Sequence, residues 1–285
     1  LNQGVHFRGD ARAADIGWKA LAVNLSDLAA MGAEPAWCTL SLSLPQADIA
    51  WLDAFLDGFL ALADLHGVAL VGGDTTRGPL SICVTVHGFV EPGRALRRDG
   101  ARVGDDVWIA GMPGHAAAAL ALRGLRTDVA PVDGVDIEAV AMFEAALARP
   151  VPQVALGRAL GGRASSAIDI SDGLLTDLAH VARASHVAMR IDVDCLPISV
   201  SLDRTFNSDA RRRLQTTGGD DYVLAFTADA GLRAQMHSLP EAPARIGAVL
   251  AGTGVQAVDG EGRVWSAPYI GYVHFTDDGK TGTTL

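Results

Sequence analysis

Apolar positions in the first third of the chain change their period several times. From residue 13 to residue 31 they recur at helical spacing, with Ile16, Ala20, Val23 and Ala30 on one stripe, and Gly32 and Pro35 close the segment. Trp37 to Leu44 is an apolar run of strand length. Pro45 then opens a second predicted helix with Leu52, Phe55, Leu56, Phe59 and Ala63 on one face, ended by Gly67. Val68 to Val71 reads as a short buried strand that runs into a glycine-rich loop, and Leu80 to Val90 alternates as a strand does. Glu91 to Gly104, with Pro92, Gly93 and four arginines, breaks the periodicity and predicts a connection between domains.

Beyond it the pattern restarts. Strand Val107 to Ala110, a Gly111-Met-Pro-Gly114 turn, an alanine-rich helix from His115 and a helix from Ile137 to Leu147 come first. Strand Ala167 to Ile168, helix Leu174 to Ala184, and strands Met189 to Val193 and Tyr222 to Phe226 follow. Strands alternating with helices in both halves predict two α/β or α+β domains. A length of 285 residues agrees, since globular units hold roughly 100 to 200 residues each. The boundary is drawn so that 1–98 form an amino-terminal domain and 99–285 a carboxy-terminal one.

A formal charge of −10 argues against nucleic acid as partner, because binding a phosphate backbone relies on Lys/Arg clusters. The single basic triplet, Arg211 to Arg213, reads as a solvated surface turn. Cys38, Cys83 and Cys195 are odd in number and far apart, which indicates neither a disulfide framework nor a zinc site and fits a reducing cytoplasm. No apolar run reaches the ~18 residues of a membrane span. The chain opens Leu1-Asn-Gln-Gly-Val-His-Phe7 without a methionine and in strand-like sequence, so a preceding amino-terminal piece is expected.

Four short stretches carry the candidate chemistry: Asn24-Leu-Ser-Asp27, Gly72-Gly-Asp-Thr-Thr-Arg-Gly78, Asp169-Ile-Ser-Asp-Gly173 and Gly218-Gly-Asp-Asp-Tyr222. Asp27 falls near a helix carboxyl end, where the macrodipole disfavours a carboxylate by roughly 0.3 to 1 kcal/mol, so something positive should sit beside it. Asp74 is expected where a buried strand ends, the place where ligands of α/β proteins collect. Taken alone, each motif has a plain structural reading as well: a turn for Gly72–Gly78, an N-cap for Ser171 or Asp172, a turn for one of Asp220 and Asp221. Those two adjacent acids are expected to open a strand and face opposite ways. Gly111–Gly114 lacks the Lys and Ser/Thr of a P-loop and reads as structural. His66 and His87 have no partner acid at useful spacing, and no Ser-His-Asp or Cys-His arrangement is legible. Only two of the 23 basic residues are lysines, Lys19 and Lys280, so phosphate chemistry here would draw its positive charge from divalent metal.

Together these motifs resemble the thiamine-monophosphate kinase family, of the superfamily that includes aminoimidazole ribonucleotide synthetase. Asn24-Leu-Ser-Asp-Leu-Ala-Ala-Met-Gly-Ala-Glu-Pro35 is the most specific block, and the likeness runs from Gly4-Val-His-Phe7 to Tyr272-Val-His-Phe275. The resemblance implies a two-domain aminoimidazole ribonucleotide synthetase-like fold, with amino-terminal domains pairing in a homodimer and ATP lying between the domains. It implies that Asp27, Asp74, Asp169 and Asp172 ligate Mg2+, with Asp27, Asp74 and Asp172 the acids on which catalysis depends. Gly73, Asp74, Arg98 and Ser171 would contact ATP, and His6, Asp220 and Tyr272 would line the thiamine monophosphate pocket. The family usually has Glu at Asp220 and Trp at Tyr272. It also carries an amino-terminal Gly-Asp-Asp segment and a Ser-Thr-Asp strand ahead of the position of Leu1, absent here.

The chemistry the resemblance implies is direct in-line phosphoryl transfer from ATP to thiamine monophosphate. A phosphate monoester has its second pKa near 6, so it is largely ionised at neutral pH and needs no general base. What must be overcome is repulsion between two polyanions, which several Mg2+ ions would neutralise. Two other readings stand beside this one: a purine-pathway cyclase type of ATP-dependent enzyme, and a non-catalytic nucleotide or metal binder.

Overall fold

The computed structural model describes residues 1–267. In chain order the elements are α1 (Ala13–Ala30), β1 (Glu34–Leu44), α2 (Ile49–His66), β2 (Ala69–Arg77), β3 (Ser81–Phe89), β4 (Asp105–Ile109), α3 (His115–Leu122), α4 (Ile137–Ala148), α5 (Val154–Leu160), β5 (Ala164–Asp169) and α6 (Leu174–Ser185). They continue as β6 (Ala188–Asp192), α7 (Val200–Thr205), α8 (Ser208–Thr217), β7 (Leu224–Asp229), α9 (Arg233–Met236), β8 (Ala244–Leu250) and β9 (Gly254–Val258).

The first sheet has the order β2-β1-β3, with β1 parallel to β2 and antiparallel to β3. Leu1 and Asn2 extend it: the Leu1 carbonyl accepts from the Ile82 N–H at 2.8 Å, and Asn2 bridges Ser81. Helix α1 lies against α2 at a crossing only glycine permits. A Cβ on Gly17 would stand 1.9 Å from the Phe55 carbonyl oxygen, and one on Gly58 would stand 1.8 Å from that of Ala14. Asp48 caps α2 by accepting from the Trp51 N–H at 3.1 Å, so that helix starts at Ile49 and not at Pro45. Pro35, expected as a helix stop, already belongs to β1. The largest departure is at Gly72–Arg77, expected as a loop: those residues continue β2 in parallel pairing with β1, with Asp74 opposite Ser41.

The second sheet has the order β5-β7-β4-β8-β6-β9, antiparallel except for β6 with β9. Buried Asp106 on β4 joins two surface arginines, each at 2.5 Å: Arg233 of α9 and Arg245 of β8. The segment from Val90 to Gly104 between the sheets has neither helix nor strand. One apolar core nevertheless runs through both halves, holding Leu21, Leu25, Phe55 and Phe59 together with Trp108, Leu156 and Phe226. Helix α1 is the shared element. Its Trp18 indole donates to the Pro150 carbonyl at 2.9 Å, and its Asp15 pairs with Arg149 at 2.5 Å.

Arg211 to Arg213 is not a surface turn. The three lie on α8 and pair in turn with Asp203, Asp194 and Asp209. Helices α5, α7 and α9 have no more than seven residues each, too few turns for a period to be read from sequence. Among the described residues, no helix is long and apolar enough to cross a membrane.

Candidate functional site

The site begins where α1 meets the end of β5. Ser26 is fully buried, and its hydroxyl donates to Asp169 Oδ2 at 2.8 Å, tying the Asn24–Asp27 block to a residue 143 positions away. Asp27 follows on the same helix, open to solvent on one side and crowded by protein on the others. Burial pushes its carboxyl up to about 6, with the charge of Asp169 adding to the rise and that of Arg98 opposing it. Asp169 is raised as well, first by burial, while the Ser26 hydroxyl and Arg98 pull the other way and Asp172 pushes it up. Asp27, Asp169, Asp172 and Arg98 thus form one electrostatic group.

Arg98 is exposed, and no carboxylate lies in ion-pair range of it among the described residues. Its backbone is fixed all the same: the Ser185 hydroxyl donates to the Arg98 carbonyl at 2.9 Å and accepts from the Ala101 N–H at 3.1 Å.

The Asp169–Gly173 loop is held from inside α6. Neither Ser171 nor Asp172 caps that helix; the N-cap is Gly173, which has no side chain to offer. Instead Asp177 folds back, and its Oδ2 accepts from the N–H groups of Ser171, Asp172 and Gly173 at 3.0, 3.0 and 3.1 Å. Burial raises the Asp177 carboxyl to about 7, against the effect of those donors.

Gly218 to Val223 is an irregular loop, not a strand opening, and β7 starts only at Leu224. Asp220 and Tyr222 adopt left-handed backbone, with φ of 65° and 50°. The expected divergence of the two acids still occurs, by a different route. Asp220 Oδ1 lies 3.2 Å from the Lys19 ammonium and accepts from the Tyr222 hydroxyl at 3.1 Å. Asp221 turns to the start of α3 and accepts from the Gly114 and Ala116 N–H groups at 2.6 and 3.2 Å. Burial pushes its carboxyl up to about 7. That contact occupies the helix end which Gly111–Gly114 could have offered to a phosphate.

His6 joins the same neighbourhood. Its carbonyl accepts from Lys19 at 3.4 Å, and burial lowers its imidazole pKa while Asp220 acts in the opposite direction. His6 and Lys19 both line a cleft of about 700 Å3, whose arginines Arg8, Arg12, Arg123 and Arg149 are each paired with Asp10, Asp15 or Glu144.

Asp74 stands apart from the other acids. It is exposed on edge strand β2, inside the strand and not at its end, and its Oδ1 accepts from the Thr75 N–H at 2.9 Å. Gly73 is demanded by the sheet, because a Cβ there would fall 1.8 Å from the Leu40 carbonyl oxygen. Tyr272 lies outside the described residues.

Hard carboxylate oxygens suit Mg2+, and Asp27 is a desolvated acid with no hydrogen-bond or ion-pair partner among the described residues. No three His, Cys, Asp or Glu side chains among those residues stand in a ready-made metal cage. This agrees with the habit of Mg2+, which takes one or two carboxylates and fills its other positions with water and substrate phosphate.

Ser26, Lys19, Asp177 and Asp221 were not singled out as site residues from sequence. Ser26 and Asp221 lie inside the motifs themselves, and Lys19 is the one lysine of the described chain, buried on an apolar helix. Asp177 carried no signal beyond an acid in the first helical turn.

The family description AIR synthase related protein, N-terminal domain, matches residues 1–90. The thiamine-monophosphate kinase of Salmonella typhimurium is 47% identical over 227 residues, covering 80% of this chain and 68% of that protein. The crystal structure of thiamine-monophosphate kinase from Stenotrophomonas maltophilia superposes with a TM-score of 0.83 at 50% identity, covering 93% of this chain and 84% of that one. A structure of AaThiL complexed with AMPPCP and TMP has a TM-score of 0.80 at 30% identity, with the same coverage.

Proposed function

Because this chain belongs to the thiamine-monophosphate kinase family, we propose that it transfers the γ-phosphoryl group of ATP to thiamine monophosphate, forming thiamine diphosphate. The observation that carries the reading is the junction of α1 with the β5–α6 loop, where Ser26 holds Asp169 and places the Asp27 carboxylate beside it. Asp27 on α1, Asp169 and Asp172 in the β5–α6 loop and Arg98 in the connecting segment influence one another electrostatically, which supports the reading.

In this reading Asp27, Asp74, Asp169 and Asp172 would share several Mg2+ ions, each ion taking one or two of these acids. The ions would supply charge neutralisation between the two phosphate chains and alignment for in-line attack. Arg98 lies against the nucleotide and stabilises charge on the transferring group. Ser171 and the Gly73 backbone make the other ATP contacts. Asp220, fixed by Lys19 and Tyr222, faces the thiamine moiety with His6 and Tyr272. No base is required, because the acceptor phosphate arrives ionised. The homodimer belongs to the same proposal. What supports it is β2, a sheet edge exposed from Val71 to Arg77, whose unpaired backbone groups can pair with another chain. A cytoplasmic setting follows from the reaction assigned.

The test is product formation by the full-length protein from thiamine monophosphate, ATP and Mg2+, followed by chromatography. Thiamine diphosphate appearing one for one with ADP is the expected result. ATP consumption only with a different acceptor would move the assignment to another enzyme of the superfamily, and tight ATP binding with no turnover would make the protein a binder.

A further inference from the structure

Three N–H groups converge on one point in the loop between β5 and α6, and the protein itself fills that point. Converging backbone donors at a helix start form an anion site, the arrangement with which many proteins grip phosphate. Here Asp177 Oδ2 takes all three, from Ser171, Asp172 and Gly173, with the side chain only 3% exposed. The donors belong to the residues that flank and include the proposed ligand Asp172 and the proposed ATP contact Ser171. Clamping those N–H groups inward sets the backbone from which the Ser171 and Asp172 side chains depart. The second strand-to-helix junction repeats the device, with Asp221 accepting from the Gly114 and Ala116 N–H groups at the start of α3.

We propose that Asp177 is a positioning residue: it shapes the Asp169–Gly173 loop so that the loop meets Mg-ATP through its side chains, its own N–H groups being committed to Asp177. This rests on the functional reading above. A residue serving only fold stability would change the melting temperature and leave substrate parameters alone, whereas a positioning residue moves those of one substrate.

Asp177→Asn keeps an acceptor of the same size without its charge, and Asp177→Ala removes the acceptor. In the full-length protein, loss of a contact that orients metal ligands typically costs about tenfold to a hundredfold in metal affinity or activity. The Mg2+ concentration for half-maximal rate and the KM for ATP should therefore rise by that order in Asp177→Ala and less in Asp177→Asn, with the KM for thiamine monophosphate unchanged. A folded Asp177→Asn and Asp177→Ala with wild-type Mg2+ and ATP dependence overturn the proposal, as does an equal rise in both substrates' KM. Should neither variant fold, a crystal structure of the unaltered protein with Mg2+ and AMPPCP decides. The three N–H groups stay on Asp177 if the proposal holds, and a phosphate oxygen in their place overturns it. That structure is informative even if the unaltered protein makes no thiamine diphosphate, a result that would defeat the functional reading alone.

Discussion

Three carboxyls, those of Asp27, Asp177 and Asp221, are raised by burial to about 6, about 7 and about 7, and none of them has a cation in ion-pair contact among the described residues. Each holds its proton more tightly folded than unfolded, where an Asp sits near ~3.9. The stability they contribute is fully present below about pH 4 and is lost as pH rises through about 6 to 7. Asp221→Asn cannot ionise and keeps one oxygen, an acceptor for one of the Gly114 and Ala116 N–H groups, which in the native chain go to different carboxylate oxygens. Its melting temperature relative to the wild type should therefore climb as pH rises from about 4 to about 8. Calorimetry across that range checks this, and a gap that ignores pH would refute the burial account. Asp27→Asn removes a partly desolvated charge that makes no hydrogen bond or ion pair among the described residues, so folding should not suffer. Turnover should fall by more than the about hundredfold that marks the upper end for a merely supporting contact. An Asp27→Asn protein with near-normal turnover would remove Asp27 from the site.

Helix α1 is the element on which the site is built, since it carries Lys19, Ser26 and Asp27 and touches both sheets' layers. Its position depends on the glycine crossing with α2. Gly17→Ala or Gly58→Ala forces a methyl into backbone and should cost about 1 to 3 kcal/mol, the usual range for overpacking, or somewhat more. Urea denaturation measures it, and an unchanged midpoint would mean the helices sit farther apart than described. The two adjacent glycines of strand β2 differ in what the sheet asks of them. A Cβ on Gly72 meets nothing within 4 Å, whereas one on Gly73 collides with β1. Gly72→Ala should therefore fold normally and Gly73→Ala should not. If Gly72→Ala raises the KM for ATP while folded, the backbone at that position touches the nucleotide.

At the scale of the whole molecule, the apolar core that joins Leu25 and Phe55 to Trp108 and Phe226 makes the two sheets one cooperative body. Ser26 with Asp169, Lys19 with Asp220, and Trp18 with Pro150 add polar ties across the same boundary. Thermal unfolding of the full-length protein should follow a single transition, with tryptophan fluorescence and far-UV circular dichroism coinciding. Two separated transitions would show that the shared core does not couple the halves. Mg2+ and ATP together should raise the midpoint further, since a ligand that binds only the folded chain stabilises it by mass action.

Long amphipathic stretches such as Ala13–Ala30 and Ile49–His66 were legible from residue order alone, because their period is local and repeats over several turns. The motifs that hold Asp27, Asp169 and Asp172 also stand out in residue order, each with a plain structural reading beside it, and a metal role for those acids came only with the family resemblance. Partnership between distant residues was not legible. Which of Asp220 and Asp221 would meet Lys19, and that Gly73 answers to Leu40, depend on segments meeting across tens of residues of chain, while the fold-back of Asp177 over three N–H groups four to six positions away depends on a loop shape that no periodicity encodes. Close packing and the burial of charge choose among such partners, and both exist only once the chain has condensed around its core.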